Sequence, residues 1–178
     1  VGTCDICHTN ETPQTDPKKH HTFTLSQEQP ALCLSCHEDM RAKLEGYKVK
    51  HQAIEAGGCT ACHDPHGSTR RYFLKDQELD KTCSACHDPK TDQAVVHKPV
   101  KTSCALCHNP HGSDQPKLLK APPQALCLEC HGKMLKGKSV HPPAKASCLN
   151  CHDPHSSPRP RMLKADPKTE LCFGCHKT

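Results

Sequence analysis

Aromatic and large apolar side chains are scarce in this sequence of 178 residues. It contains no tryptophan, two tyrosines and three phenylalanines, and the apolar share reaches 34% only because it includes 16 cysteines. Without the cysteines that share is about 25%, which is low for a packed globular domain. No stretch is long and apolar enough to span a membrane. The sequence therefore excludes a conventional core of side chains, and disulfides, structural metals or covalently attached cofactors must hold the fold together.

No cysteine stands alone in the sequence. The sixteen cysteines form eight CXXC pairs, and a histidine follows the second cysteine of every pair. The pairs are Cys4 and Cys7, Cys33 and Cys36, Cys59 and Cys62, Cys83 and Cys86, Cys104 and Cys107, Cys127 and Cys130, Cys148 and Cys151, and Cys172 and Cys175. The histidines are His8, His37, His63, His87, His108, His131, His152 and His176.

CXXCH is the attachment signature of c-type haem. In one helical turn the two cysteines and the histidine fall within an arc of about 100°. The two thiols can then bond the two vinyl groups of one porphyrin, while the imidazole ligates the iron. Eight copies predict eight covalently attached haem c groups, with the sixteen cysteines as attachment residues and the eight histidines as proximal iron ligands.

Three other uses of cysteine fit this pattern less well. Disulfides explain an even cysteine count but not the histidine after each pair. In a tetrahedral zinc site, a ligand directly adjacent to the second cysteine is poorly placed. A redox CXXC is normally a single motif in a βαβ setting, and no such pattern occurs here.

The motifs are arranged in a repeat of about 45 residues. The stretch 59–68 resembles the stretches 104–113 and 148–157, each containing Asp/Asn-Pro-His after the first motif, and a second motif follows each one. We divide the chain into four two-haem units, about 1–48, 49–94, 95–138 and 139–178, that together form one domain over 1–178. The first unit is degenerate, because Thr9-Asn10-Glu11 stands where the others have Asp/Asn-Pro-His.

This layout resembles the multihaem c-type cytochromes with doubled CXXCH motifs, over essentially the whole chain. The resemblance implies a line of closely packed haems wrapped in loops and short helices. We therefore expect a mostly irregular fold with short α-helices, a haem-packed array, and little or no β-sheet. The sequence predicts short helices at the second motif of each unit, a capping box of Ser26 and Gln29 before 30–45, and an N-cap at Asp166 with Pro167.

Eight further histidines match the eight irons in number. They are His20, His21, His51, His66, His97, His111, His141 and His155. We interpret them as distal ligands that make every haem bis-histidine. His66 is only three residues from His63, so it is expected to ligate a different haem, as are His111 and His155. Met40 and Met134 are competing axial ligands, although such residues more often pack against a porphyrin face.

A bis-histidine iron has no open coordination position, which favours electron transfer over catalysis. We expect an electron conduit and not an enzyme; the alternative is an octahaem oxidoreductase with one open catalytic haem. Expected partners are other redox proteins, or copies of the chain stacked head to tail into a conductive filament.

The formal charge of +5 is offset by haem propionates, and aromatic residues for base stacking are lacking, so nucleic acid is not expected. Haem attachment outside the cytoplasm predicts a periplasmic or extracellular location, with any export signal removed before Val1.

Overall fold

Short elements separated by irregular chain build the fold of this protein, as a computed structural model shows. The structure describes residues 4–9, 24–75 and 79–177. The α-helices are α1 (Ala31–Leu34), α2 (Glu38–Gly46), α3 (Gln52–Gly57), α4 (Leu79–Ser84), α5 (Lys98–Thr102), α6 (Pro123–His131) and α7 (Pro142–Ala146). Within the described ranges, no helix is long and apolar enough to cross a bilayer.

The strands are two residues each and form three antiparallel pairs. They are β1 (His8–Thr9), β2 (Thr24–Leu25), β3 (Val49–Lys50), β4 (Val95–Val96), β5 (Gly112–Ser113) and β6 (Ser156–Ser157). β1 pairs with β2, β3 with β5, and β4 with β6. The last two pairs join residues more than 60 positions apart, with Val49 opposite Ser113 and Val95 opposite Ser157. The expected fold class is confirmed: mostly irregular chain with short helices and only very small sheets.

The two kinds of motif fold differently. Each first motif opens with a single 3₁₀ turn, at Cys4–Ile6, Cys59–Ala61, Cys104–Leu106 and Cys148–Asn150. In units two to four an Asp-Pro or Asn-Pro follows the motif, and the residue before a proline avoids helical geometry, so these turns do not lengthen. The second motifs begin in α1, α4 and α6, as expected. The prediction is wrong for the fourth, where residues 171–175 form turns; Gly174 inside that motif disfavours a helix by about 1 kcal/mol.

The predicted capping box is also wrong. The Ser26 hydroxyl donates to the Ile6 carbonyl, and the Gln29 side chain bonds to Thr60. Long-range partners therefore take both side chains, and α1 begins after Pro30 without a side-chain cap. The Asp166 carboxylate does accept from the Lys168 amide at 2.7 Å, but turns follow it and not an α-helix.

Candidate haem-binding sites

Backbone hydrogen bonds bring the members of each first motif together. In the second unit the amides of Cys62 and His63 both donate to the Cys59 carbonyl, at 3.3 and 3.0 Å. The same two bonds recur at Cys104 and at Cys148. One turn therefore presents two thiols and an imidazole from adjacent positions, which is the arrangement that a covalent haem requires.

A segment of about twelve residues then loops back to each first motif. The Asp64 amide donates to the Phe73 carbonyl at 2.8 Å, and the Lys75 amide donates to the Cys62 carbonyl at 3.0 Å. Equivalent bonds close the loops after His108 and His152. We call these segments, residues 64–75, 109–120 and 153–164, the straps. Each strap fixes the backbone on one side of its motif histidine.

Two adjacent left-handed residues give each strap its shape. They are Tyr72 and Phe73, Lys117 and Leu118, and Arg161 and Met162, with φ between 55° and 62°. The carbonyls of Tyr72, Lys117 and Arg161 accept from Nδ1 of His63, His108 and His152 at 2.7, 2.9 and 2.9 Å. A proton on Nδ1 leaves the Nε2 lone pair free for a metal. The sequence analysis missed these residues, because none of the pairs contains the Asn-Gly that typically marks such a turn.

Among the described residues, twelve histidines form six pairs of nearly parallel rings. The centroid separations are 5.8–6.1 Å and the planes differ by 12–25°. The pairs are His8 with His66, His87 with His51, His63 with His111, His131 with His97, His108 with His155, and His176 with His141. Every pair joins one motif histidine to one of the other eight.

This spacing fits an iron between the two rings. With metal–nitrogen distances of about 2.0 Å and ring centroids about 1.1 Å beyond each nitrogen, two axial imidazoles stand about 6.2 Å apart. All six separations lie close to that value. The residues present therefore fit a bis-histidine haem at each of six motifs.

The pairs follow two rules. A first-motif histidine faces the strap histidine of the next unit, as His63 faces His111. A second-motif histidine faces the histidine upstream in its own unit, as His87 faces His51. The structure thus places His66, His111 and His155 away from the motif histidines that precede them in the sequence. His37 and His152 have no facing imidazole among the described residues, and His20 and His21 lie outside that part of the chain.

The methionines do not compete at the paired sites. His97 faces His131, and the Met134 side chain is 75% exposed. Met40 is half-buried and lies in α2, just after His37.

Burial keeps several distal imidazoles neutral, as ligation requires. It is the largest cause of the lowered pKa of His111, followed by the neighbouring His63, His51 and Lys43. The pKa of His51 is lowered by burial and then by His87. The pKa of His155 is also lowered, mainly by burial, although Asp153 opposes the shift.

Cysteines of different motifs also lie next to each other. Burial, and then the adjacent Cys59, raises the pKa of the Cys33 thiol to about 11. Burial, and then Cys148, raises the pKa of Cys127. In both cases the second motif of one unit adjoins the first motif of the next. All sixteen cysteines are free of disulfides, and no group of three metal-ligating side chains forms among the described residues.

Comparison with known proteins agrees with this geometry. The family described as "Doubled CXXCH motif" matches four times, at residues 1–42, 51–92, 97–136 and 141–178. No curated protein matches the chain. The four matches confirm the resemblance found in the sequence, and the CXXCH motifs bind haem c covalently. The chain therefore belongs to the doubled CXXCH family, and it is a multihaem c-type cytochrome that transfers electrons.

Proposed function

We propose that this cytochrome carries eight haem c groups in one row and conducts electrons along it. The observation that carries the proposal is the set of six imidazole pairs at 5.8–6.1 Å, distributed over all four units. When bound, haem c supplies an iron that alternates between Fe(III) and Fe(II). Two imidazoles fill both axial positions, so the protein keeps the same ligands in both oxidation states.

The order of the row is supported by two contacts that alternate along the chain. The strands bring together the distal histidines that face the two motif histidines of one unit: the His51 amide donates to the His111 carbonyl at 3.2 Å, and the His97 amide to the His155 carbonyl at 2.9 Å. Between units the motif cysteines adjoin, as Cys33 and Cys59 do. These contacts, together with that between α4 and the turn at Cys104–Leu106, link the motifs from Cys33 to Cys148 in sequence order. We infer that electrons pass through the haems in that same order.

Two irons need ligands from outside the described residues. These are the irons on His37 and His152, and the sequence holds two histidines, His20 and His21, that are not assigned to another iron. Adjacent residues cannot easily serve one haem. We propose that one of them ligates the iron on His37 and that the other reaches the iron on His152 of a neighbouring copy.

The unpaired segment before His141 supports this head-to-tail contact. Val49-Lys50 precedes His51 and Val95-Val96 precedes His97, and both segments pair with a strap strand. Ser139-Val140 precedes His141 in the same way, but no strand lies opposite it among the described residues. Among the described residues, this segment thus has no paired strand and the iron on His152 has no distal imidazole. We propose a conductive filament, periplasmic or extracellular, with redox proteins as its donors and acceptors.

Electron microscopy of the purified holoprotein tests the filament, with His20→Ala and His21→Ala as matched variants. We expect filaments in the wild type. We expect one variant to lose them while its monomer keeps seven bis-histidine haems. The other variant should perturb the iron on His37. If the wild type were uniformly monomeric at every concentration, that result would contradict filament assembly. The protein would then be a monomeric electron carrier.

Carbon monoxide separates the conduit from an enzyme. The reduced filament should show no spectral change, whereas dissociated monomers should bind carbon monoxide at one of the eight irons. An oxidoreductase would bind it at one iron in both forms, because a catalytic iron stays open to substrate.

A further inference from the structure

The residue after each first-motif histidine differs in charge between units. Asp64 and Asp153 are carboxylates, and Asn109 is a neutral amide at the same position. All three side chains have the same backbone role: each oxygen accepts from the amide two residues later, at 3.0, 3.2 and 2.9 Å. The difference is therefore one of charge and not of local fold.

That oxygen also lies beside an axial imidazole. Asp153 Oδ1 is 3.9 Å from Nδ1 of His155, and Asp64 Oδ1 is 3.8 Å from Nδ1 of His66. These rings face His108 and His8, so each carboxylate lies close to an iron held by the preceding unit. Asn109 has the corresponding place beside His111, which faces His63.

A fixed negative charge favours the ferric state, because the haem core carries one more positive charge when it is oxidised. Building on the proposed function, we propose that Asp64, Asn109 and Asp153 set unequal reduction potentials. The iron between His63 and His111 has the highest potential of the three, and those between His8 and His66 and between His108 and His155 are lower. The first residue of each strap thus sets the reduction potential of a haem in the preceding unit.

Other charges at these sites do not reverse the order. Lys43 lies near His111 and adds to the positive field there. Lys117 lies near His155, but its influence on that ring is smaller than that of Asp153. Lys90 also interacts with Asp153, but more strongly with Asp88, whose carboxylate lies 2.9 Å from Lys90 Nζ. His155 is also better shielded than His66, since the His155 side chain is 41% exposed and that of His66 is 79% exposed, while the two carboxylates are about equally exposed. The effect is therefore easiest to measure at Asp153.

A redox titration of the full holoprotein, followed by haem absorbance, tests the proposal with two opposite variants. Asp153→Asn should raise the reduction potential of one haem, which contributes one-eighth of the absorbance change. We expect a change of about tenfold in its reduction equilibrium, equal to 59 mV for one electron. Asn109→Asp should lower the reduction potential of a different haem by a similar amount. Both substitutions keep the oxygen that accepts the backbone amide. In Asn109→Asp, the Tyr47 hydroxyl can donate to the carboxylate where it now accepts from the amide at 2.9 Å.

Asp166→Asn is the matched control. The Asp166 carboxylate also accepts from the amide two residues later, that of Lys168 at 2.7 Å, but no imidazole is ion-paired with it among the described residues, so its removal should shift the titration much less. The two opposite shifts should also shrink in high salt, because partly exposed charges are screened. Curves that coincide with the wild type, or shifts of the same sign in both variants, would overturn the proposal. If the wild type lacked eight haems or bis-imidazole spectra, the proposed function itself would fail.

Discussion

His111 shows how one residue connects neighbouring units. Its ring faces His63 of the previous unit, and its carbonyl accepts from the His51 amide. It is half-buried, and burial lowers the pKa of its ring, so the imidazole is neutral and able to ligate. The residues that hold the chain together are thus the same residues that would hold the irons.

Replacing His111 by methionine should change one iron only. His111→Met should raise the reduction potential of the haem on Cys59 and Cys62, because an axial methionine favours the reduced state. The reduction equilibrium of that haem should change by more than tenfold, at about 59 mV per tenfold change. Spectroelectrochemistry should show one His/Met haem and seven unchanged. A His/Met spectrum that belongs instead to the haem on Cys104 and Cys107 would contradict the crossed pairing.

Sequence reasoning could predict that strap histidines do not ligate the iron of their own first motif, but not which histidines they face. The spacing of three positions from His63 to His66 is short enough to exclude a shared iron. The choice of His8 as the partner of His66 depends on long-range contacts that the sequence does not encode as a local pattern. The strand pair β3–β5, which positions His51 and His111, has only two residues per strand. Such strands are too short to show the alternation of apolar and polar residues that identifies a strand in a sequence.

At the scale of elements, the straps form the repeating framework. In each one a serine hydroxyl donates to a leucine carbonyl: Ser68 to Leu74, Ser113 to Leu119, and Ser157 to Leu163. The same serines accept an amide two residues later. Ser113 and Ser157 are buried, so both groups need these partners. The sequence showed the repeat, but it did not show that the strap returns to its own motif.

The left-handed pair in each strap carries backbone strain. Lys117 and Leu118 have side chains that disfavour φ near 57°, at about 1 kcal/mol each. Replacing them by Asn-Gly should raise the free energy of unfolding by about 1 kcal/mol, as denaturant unfolding of the holoprotein would show. Lys117→Pro is the opposite control, because proline cannot adopt positive φ, and it should cost about 3 kcal/mol or more. Equal stability of the two variants would contradict the turn geometry.

Gly112 is a second test of the strap. It pairs with Lys50, and a side chain there would collide with the ring of Tyr47. Ser156 occupies the equivalent place opposite Val96, where the chain has Gln93 in the position of Tyr47. We expect Gly112→Ser to lower the free energy of unfolding by about 1–3 kcal/mol.

A double-mutant cycle isolates that collision. Tyr47→Gln, which copies Gln93, should recover much of the stability lost in Gly112→Ser. Strictly additive effects of the two substitutions would show that the tyrosine ring is not the obstacle.

At the scale of the whole molecule, the polypeptide alone lacks an interior. Its accessible surface is 13677 Å², whereas a folded monomer of 19.6 kDa is expected to expose about 8,600 Å². Among the described residues only Leu32 and Leu44 are buried apolar side chains. We expect haems bound at the paired imidazoles to cover much of the excess surface and to supply the contacts that a side-chain core supplies elsewhere. The composition predicted this feature, since scarce hydrophobes cannot offset the entropy of ordering the chain.

Chain made without haem should therefore not fold. Expressed where haem is not attached, the reduced polypeptide should lack the far-ultraviolet circular dichroism of its helices and should exchange its amide protons freely. The holoprotein from an exporting host is the control. A cooperative unfolding transition in the apoprotein would contradict a haem-built interior.

Intact mass spectrometry of the denatured holoprotein tests the central claim most directly. Covalent haems survive denaturation, so each occupied CXXCH motif adds one haem to the polypeptide mass. The account predicts a single species with eight haem increments and no free thiol. A stable, folded protein with clearly fewer increments, or with CXXCH cysteines still free, would contradict it.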